Sequence, residues 1–292
     1  MTAPPRVFDR TAWRRHRQRA AAADAPLDFL HAEVADRLVE RLEDLRRPLP
    51  VVLALGSGGS TLRQRLAGRF GIELLVGCDA AEGWARRGEA EVVADEELLP
   101  FGQGRFDAVL GGFALHWAND LPGILAQASW ALKPDGLLLL AFPGGETLIE
   151  LRQALLDAEL EVTGGASPRV SPFTQLVDAA GLLQRAGVAL PVADSDRITV
   201  TYGEPWRLLA ELRAMGEGNA LALRSAFLRR DVLGRAMQLY RERWGDADGR
   251  VPATFEILFL TGWRAAAGQP KPLPRGSGKV SLAEAFAPPK RD

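Results

Sequence analysis

The sequence predicts an α/β fold in which a mostly parallel sheet carries helices on both faces. Three observations predict it. Short apolar runs alternate with stretches of helical periodicity across positions 51–142, and that alternation demands a parallel sheet with right-handed crossovers. The first run, 51–55, meets a turn of small residues from Gly56 to Ser60, and the next two meet acids, Asp79 and Asp95. In such sheets the carboxyl ends of the strands form one rim, where ligands bind.

The elements follow in chain order. Arg10, Arg14, Arg15, Arg17 and Arg19 precede an alanine run, a composition shared with mitochondrial transit peptides, but Asp9 and the absence of serine there favour a solvated helix face. Phe29, Val34, Leu38 and Leu42 then have the spacing of an amphipathic helix. Strands are expected over 51–55, 72–78, 91–94, 107–110 and 137–142, the last after the Pro134-Asp135-Gly136 turn. Leu62, Leu66 and Phe70 place one apolar stripe on a helix at 61–70. Further helices are expected at 146–160, 173–186, 205–215 and 231–244, with strands at 197–202 and 254–263. The chain thus divides into an N-terminal helical segment, 1–48, and a domain at 49–264. Within that domain the cofactor half runs to 145, and the substrate half from 146 carries a helical insertion at about 204–250. A flexible tail rich in Pro, Gly and Lys is expected at 265–292.

Composition bounds the function. With 292 residues, 47% of them hydrophobic, the chain can bury a sizeable core. Its 36 basic and 37 acidic side chains leave a net charge of −1, so no global field favours nucleic acid. Cys78 is the one cysteine; it forms no internal disulfide and points to a reducing compartment, so a cytoplasmic protein is expected. No apolar run approaches the roughly 18 residues that span a bilayer, and a peripheral membrane contact stays open.

An acid about 20 residues after a glycine turn is how a βαβ unit holds an adenosine ribose, and Asp79 has that place. A dinucleotide fingerprint needs glycine five positions after its first, where this chain has Thr61. On the third strand, Asp95 can accept from an adenine amino group while Leu98 and Phe101 offer apolar cover. The set points to S-adenosylmethionine and to a Rossmann-like class I methyltransferase fold with seven strands. Gly56, Ser57, Gly58, Asp79, Ala80, Asp95, Glu96 and Gly111 are the expected cofactor residues. Acids at strand ends also serve as plain helix caps.

From Asp95 to Phe142, with Leu115-His116-Trp117-Ala118-Asn119-Asp120-Leu121-Pro122, the chain is similar to the biotin-pathway malonyl carrier-protein methyltransferases. Gly144-Gly145-Glu146-Thr147-Leu148, Glu150-Leu151-Arg152, and the stretches 165–173 and 183–187 resemble complex I assembly factor 5, a family described both as a methyltransferase and as a protein arginine hydroxylase. Phe8-Asp9-Arg10, Asp248-Gly249-Arg250 and Gln269-Pro270-Lys271-Pro272 extend the match over almost the whole chain, and the arginine- and alanine-rich composition resembles a bacterial member. The resemblance implies an S-adenosylmethionine-dependent methyltransferase acting in respiratory complex I assembly, with a complex I subunit as protein substrate. Arginine hydroxylation of such a subunit and a non-catalytic assembly role are the alternatives. Two departures stand out: Ala54 replaces the family's usual acid before the first glycine, and Ser60 replaces a glycine.

Methyl transfer needs alignment more than covalent help. His116 and Trp117, after the fourth strand, are the candidates near the reacting end. His116 could take a proton, and both residues could equally begin the next helix as packing. A non-haem iron site uses two histidines and a carboxylate; His16, His31 and His116 lack ligand spacing, so no metal is expected. Arg169, in a proline-bounded loop, can meet a partner acid or solvent.

Overall fold

Val51-Val52-Leu53-Ala54-Leu55 is apolar at every position because the strand it forms, β1 (Val51–Leu55), is covered on both faces. It lies inside a seven-stranded sheet. In the computed structural model, which describes residues 6–23, 29–56, 61–88, 90–113, 115–225, 227–269, 276–277 and 281, the other strands are β2 (Leu74–Asp79), β3 (Val92–Val93), β4 (Phe106–Gly112), β5 (Leu132–Pro143), β6 (Ala189–Tyr202) and β7 (Val251–Trp263). Their order is β3-β2-β1-β4-β5-β7-β6. The first five run parallel, and β7 is antiparallel to both β5 and β6. The expected fold class is therefore the observed one.

Several elements differ from expectation, among them β5, which begins at Leu132 rather than 137 and takes in the expected Pro134-Asp135-Gly136 turn. β6 begins at Ala189 rather than 197: it is an edge strand paired along β7, and Pro191, the register shift between Ala189 and Val192 and the polar Asp194-Ser195-Asp196 break up its first half. The helix expected at 61–70 is only α3 (Leu62–Leu66); Gly68, Phe70 and Gly71 take φ of 70°, 54° and 64°, which ends it. Helices α2 (Phe29–Glu43), α6 (Ile149–Thr163), α8 (Pro205–Ala214) and α9 (Arg230–Trp244) contribute to the core on one sheet face. Across the sheet, α5 (Leu121–Ala131) and α7 (Leu176–Arg185) build the other.

The N-terminal arginines correct the solvated-face expectation in part: Arg10 and Arg17 are withdrawn from solvent, while Arg14, Arg15 and Arg19 stay exposed. They form α1 (Arg10–Ala21), which docks beside α4 (Glu82–Arg86) with Trp13 fully buried and Arg17 only 2% exposed. Most of the expected tail lies outside the described residues. Its start is held: the Gln269 side-chain amide donates to Asp135 Oδ1 at 2.8 Å and to the Arg264 carbonyl at 2.9 Å. Among the described residues no helix is long and apolar enough to cross a membrane.

Candidate functional site

β2 ends at the rim in Asp79, which is fully buried. Its Oδ1 accepts the Ala81 N–H at 2.8 Å, and the Arg17 guanidinium grips both carboxylate oxygens. Just beyond β3, Arg10 Nη2 donates to Asp95 Oδ1 at 2.5 Å and to Glu96 Oε2 at 2.6 Å, while Arg14 reaches Asp95 Oδ2 at 3.1 Å. One helix face supplies all three arginines, since positions 10, 14 and 17 fall on the i, i+4, i+7 stripe of α1.

Burial, then the neighbouring Asp79 charge, push Glu96 up to about 7, with Arg10 pulling the other way. For Asp95 burial acts upward too, but Arg10 outweighs it and holds the carboxyl below its usual range. Cys78 is pushed up to about 12 by burial, so its thiol stays protonated and inert.

The acids present suit an adenosyl group. Asp79 stands where a ribose acid must stand, Ala80 is buried beside it, and Glu96 Oε1 is a buried acceptor with no donor. Gly56 adopts φ 59°, the left-handed turn that the strand end needs; Ser57 and Gly58 lie outside the described residues. Gly111 has a packing reason to be glycine, because a Cβ there would lie 2.8 Å from Leu140 Cδ2. Two expected cover residues do not cover the rim. Leu98 is 77% exposed, and Phe101 packs edge-on against Phe106, at the amino end of β4, with ring centroids 5.2 Å apart.

A second constellation follows β4. Phe113 takes φ 60°, a left-handed conformation that costs a bulky residue roughly 1–2 kcal/mol. Its ring meets those of His31 and His116 edge-on, at 5.0 and 5.4 Å. His116 Nε2 lies 2.8 Å from Glu217 Oε2, and the Trp117 indole N–H donates to the same oxygen at 2.8 Å. Glu217 comes from the link after α8, where Gly216 turns at φ 86°. Burial acts to raise the Glu217 carboxyl, but His116 and the two hydrogen bonds outweigh it, so the group sits below its usual range and is ionised.

His116, Trp117 and Glu217 line a cavity of about 350 Å³ whose walls include Leu151, Phe173 and Leu209. Glu217 Oε1 and His116 Nδ1 are both buried without a partner. Arg169 and Arg224 also line it, yet each has a counter-ion: Arg169 pairs with Glu159, and Arg224 with Asp9 at 3.1 Å. Sequence reasoning missed Glu217 and Arg17. Among the described residues no group of three or more His, Cys, Asp or Glu side chains is placed to hold a metal ion.

His31 gives the site a pH signature. Buried with neither ring nitrogen partnered, it is pushed down to about 4 by burial, against 6.5 for the free side chain. The unfolded chain therefore takes the proton first, and stability falls as pH drops from 6.5 towards 4, by up to about 3 kcal/mol. Glu96 works oppositely: raised on folding from 4.5 to about 7, its contribution is full below 4.5 and lost as pH rises towards 7. In urea unfolding, His31→Leu is expected to lose the acid-side decline relative to wild type. Equal slopes below pH 6 in the two proteins would contradict this.

A methyltransferase domain model matches residues 53–140. Over 286 residues, 95% of this chain and 89% of the relative, the chain is 40% identical to "Arginine-hydroxylase NDUFAF5, mitochondrial" of Danio rerio. It is also 34% identical over 267 residues, 88% of each chain, to the malonyl-[acyl-carrier protein] O-methyltransferase of Halorhodospira halophila (strain DSM 244 / SL1). Among solved structures, the YcgJ protein from Bacillus subtilis shares the fold at 14% identity and a TM-score of 0.54, covering 79% of this chain and 99% of that one. The chain belongs to the NDUFAF5 family, within the class I S-adenosylmethionine-dependent methyltransferase superfamily.

Proposed function

We propose that this chain is a bacterial, cytoplasmic enzyme that binds S-adenosylmethionine on the sheet rim and modifies an arginine side chain of a respiratory complex I subunit. One observation carries the reading: a buried, ionised carboxylate, Glu217, lines the cavity and has one oxygen without a partner. Buried charges call for a counter-charge. The arginines of the cavity wall already have theirs, and Arg17 is committed to Asp79. A guanidinium from outside would donate to Glu217 Oε1. The guanidinium replaces the imidazolium as the counter-charge of Glu217, so that His116 becomes neutral with its proton on Nε2 and its Nδ1 accepts a second N–H, while the apolar walls take the methylene stem.

Bound S-adenosylmethionine supplies an activated methyl group. Glu217 orients the guanidinium, His116 Nδ1 takes the proton that the nitrogen loses, and the apolar walls keep water out. Hydroxylation of the arginine is the second reading, favoured by the name of the relatives that match over 95% of this chain; Glu217 anchors the guanidinium in the same way. Calorimetry with S-adenosylhomocysteine present, comparing an arginine peptide from a complex I subunit with the same peptide carrying citrulline, tests the reading. The neutral analogue is expected to bind at least about tenfold more weakly, or roughly 1.4 kcal/mol. Equal binding of the two peptides would remove the arginine assignment.

A further inference from the structure

We infer that α1 is an internal plug of the cofactor site, which S-adenosylmethionine must displace in order to bind. The inference rests on the cofactor reading above. Arg17 Nε and Nη2 take the two Asp79 oxygens that a ribose would use, and Arg10 takes Asp95 and Glu96, the acids that would face the adenine side. Both arginines belong to one helix, and the fully buried Trp13 between them carries the Arg10 guanidinium 3.8 Å above its ring. The groups that block the site are therefore tied into a single docked element.

That docking is strong in charge and poor in satisfaction. Arg10 Nε, Trp13 Nε1, Trp84 Nε1 and Glu96 Oε1 are all buried along it without a hydrogen-bond partner, Arg10 Nε lying 4.0 Å from Glu97 Oε1. Each such group costs free energy that a permanent interface would avoid. Where α1 meets α4 through a proper hydrogen bond, the Gly83 N–H donates to Gln18 Oε1 at 3.0 Å. Undocking would release the orphaned groups to water and free Asp79 and Glu96 as acceptors for hydroxyl and amino donors. A site that is open in only a fraction of molecules binds its ligand more weakly by that fraction. The plug therefore lowers the apparent cofactor affinity.

Hydrogen exchange of the full chain with and without saturating S-adenosylhomocysteine reads the plug directly. Amides of 10–21 are expected to exchange at least about tenfold faster when the ligand is bound, while those of β1 and β2 slow. Calorimetry is expected to show Arg17→Gln binding S-adenosylhomocysteine at least about tenfold more tightly than wild type. Binding by the variant alone would support the plug as well. Saturable binding to wild type with unchanged or slower exchange over 10–21 would overturn the plug and leave the cofactor reading standing. Binding by neither protein would overturn both. Should Arg17→Gln fail to fold, the exchange measurement on wild type decides alone.

Discussion

Arg17→Met is expected to destabilise the protein by about 3–5 kcal/mol, because it strands a buried carboxylate without its counter-charge. Asp79 is fully buried and Arg17 nearly so. Burial acts against the Arg17 charge, yet the attraction and hydrogen bonds of Asp79 outweigh it and keep the guanidinium protonated. The cost arises from breaking the pair and would not measure the worth of having it. Replacing both partners, Arg17→Met with Asp79→Leu, is accordingly expected to recover most of the loss. Urea unfolding of the two single variants and the double variant checks this. A loss below about 1 kcal/mol for Arg17→Met would mean that the pair behaves as a solvated surface contact.

Glu217→Gln is the second large effect. It is expected to lower kcat/KM for the arginine substrate by about 10²-fold or more, since it removes both the charge that holds the guanidinium and the carboxylate that fixes the His116 tautomer. Affinity for S-adenosylhomocysteine is expected to stay within about twofold, since Glu217 lines the cavity and Asp79, the proposed ribose acceptor at the end of β2, does not. Steady-state kinetics beside calorimetry separate the two. An unchanged kcat/KM would show that the cavity carboxylate has no part in recognition.

Much of the sheet was legible because β1, β4 and β5 are buried on both faces and so read as unbroken apolar runs. The first half of β6 was not, because Pro191 interrupts its short apolar run and Asp194-Ser195-Asp196 follow it, a pattern that an edge strand tolerates. Asp79, Asp95 and Glu96 could be placed on the rim from strand ends alone. Their partners could not: Arg17 and Asp79 are 62 residues apart, and an arginine cluster reads as a solvated face unless its 10, 14, 17 spacing is set against acids elsewhere. Glu217 lies 101 residues from His116 in a glycine-flanked link. No local pattern marks an acid there, and only the fold of α8 and the following turn brings it within hydrogen-bond reach of His116 Nε2. Leu98 and Phe101 failed as adenine cover because adjacency in sequence to Asp95 does not fix which way the chain turns after a strand of two residues.

Mass spectrometry of respiratory complex I subunits from a strain lacking this protein tests arginine modification most directly. The expected result is the loss of one mark confined to an arginine, of about 14 Da for methyl transfer or about 16 Da for hydroxylation. Complex I subunits whose arginines carry the same masses with and without the protein would contradict it.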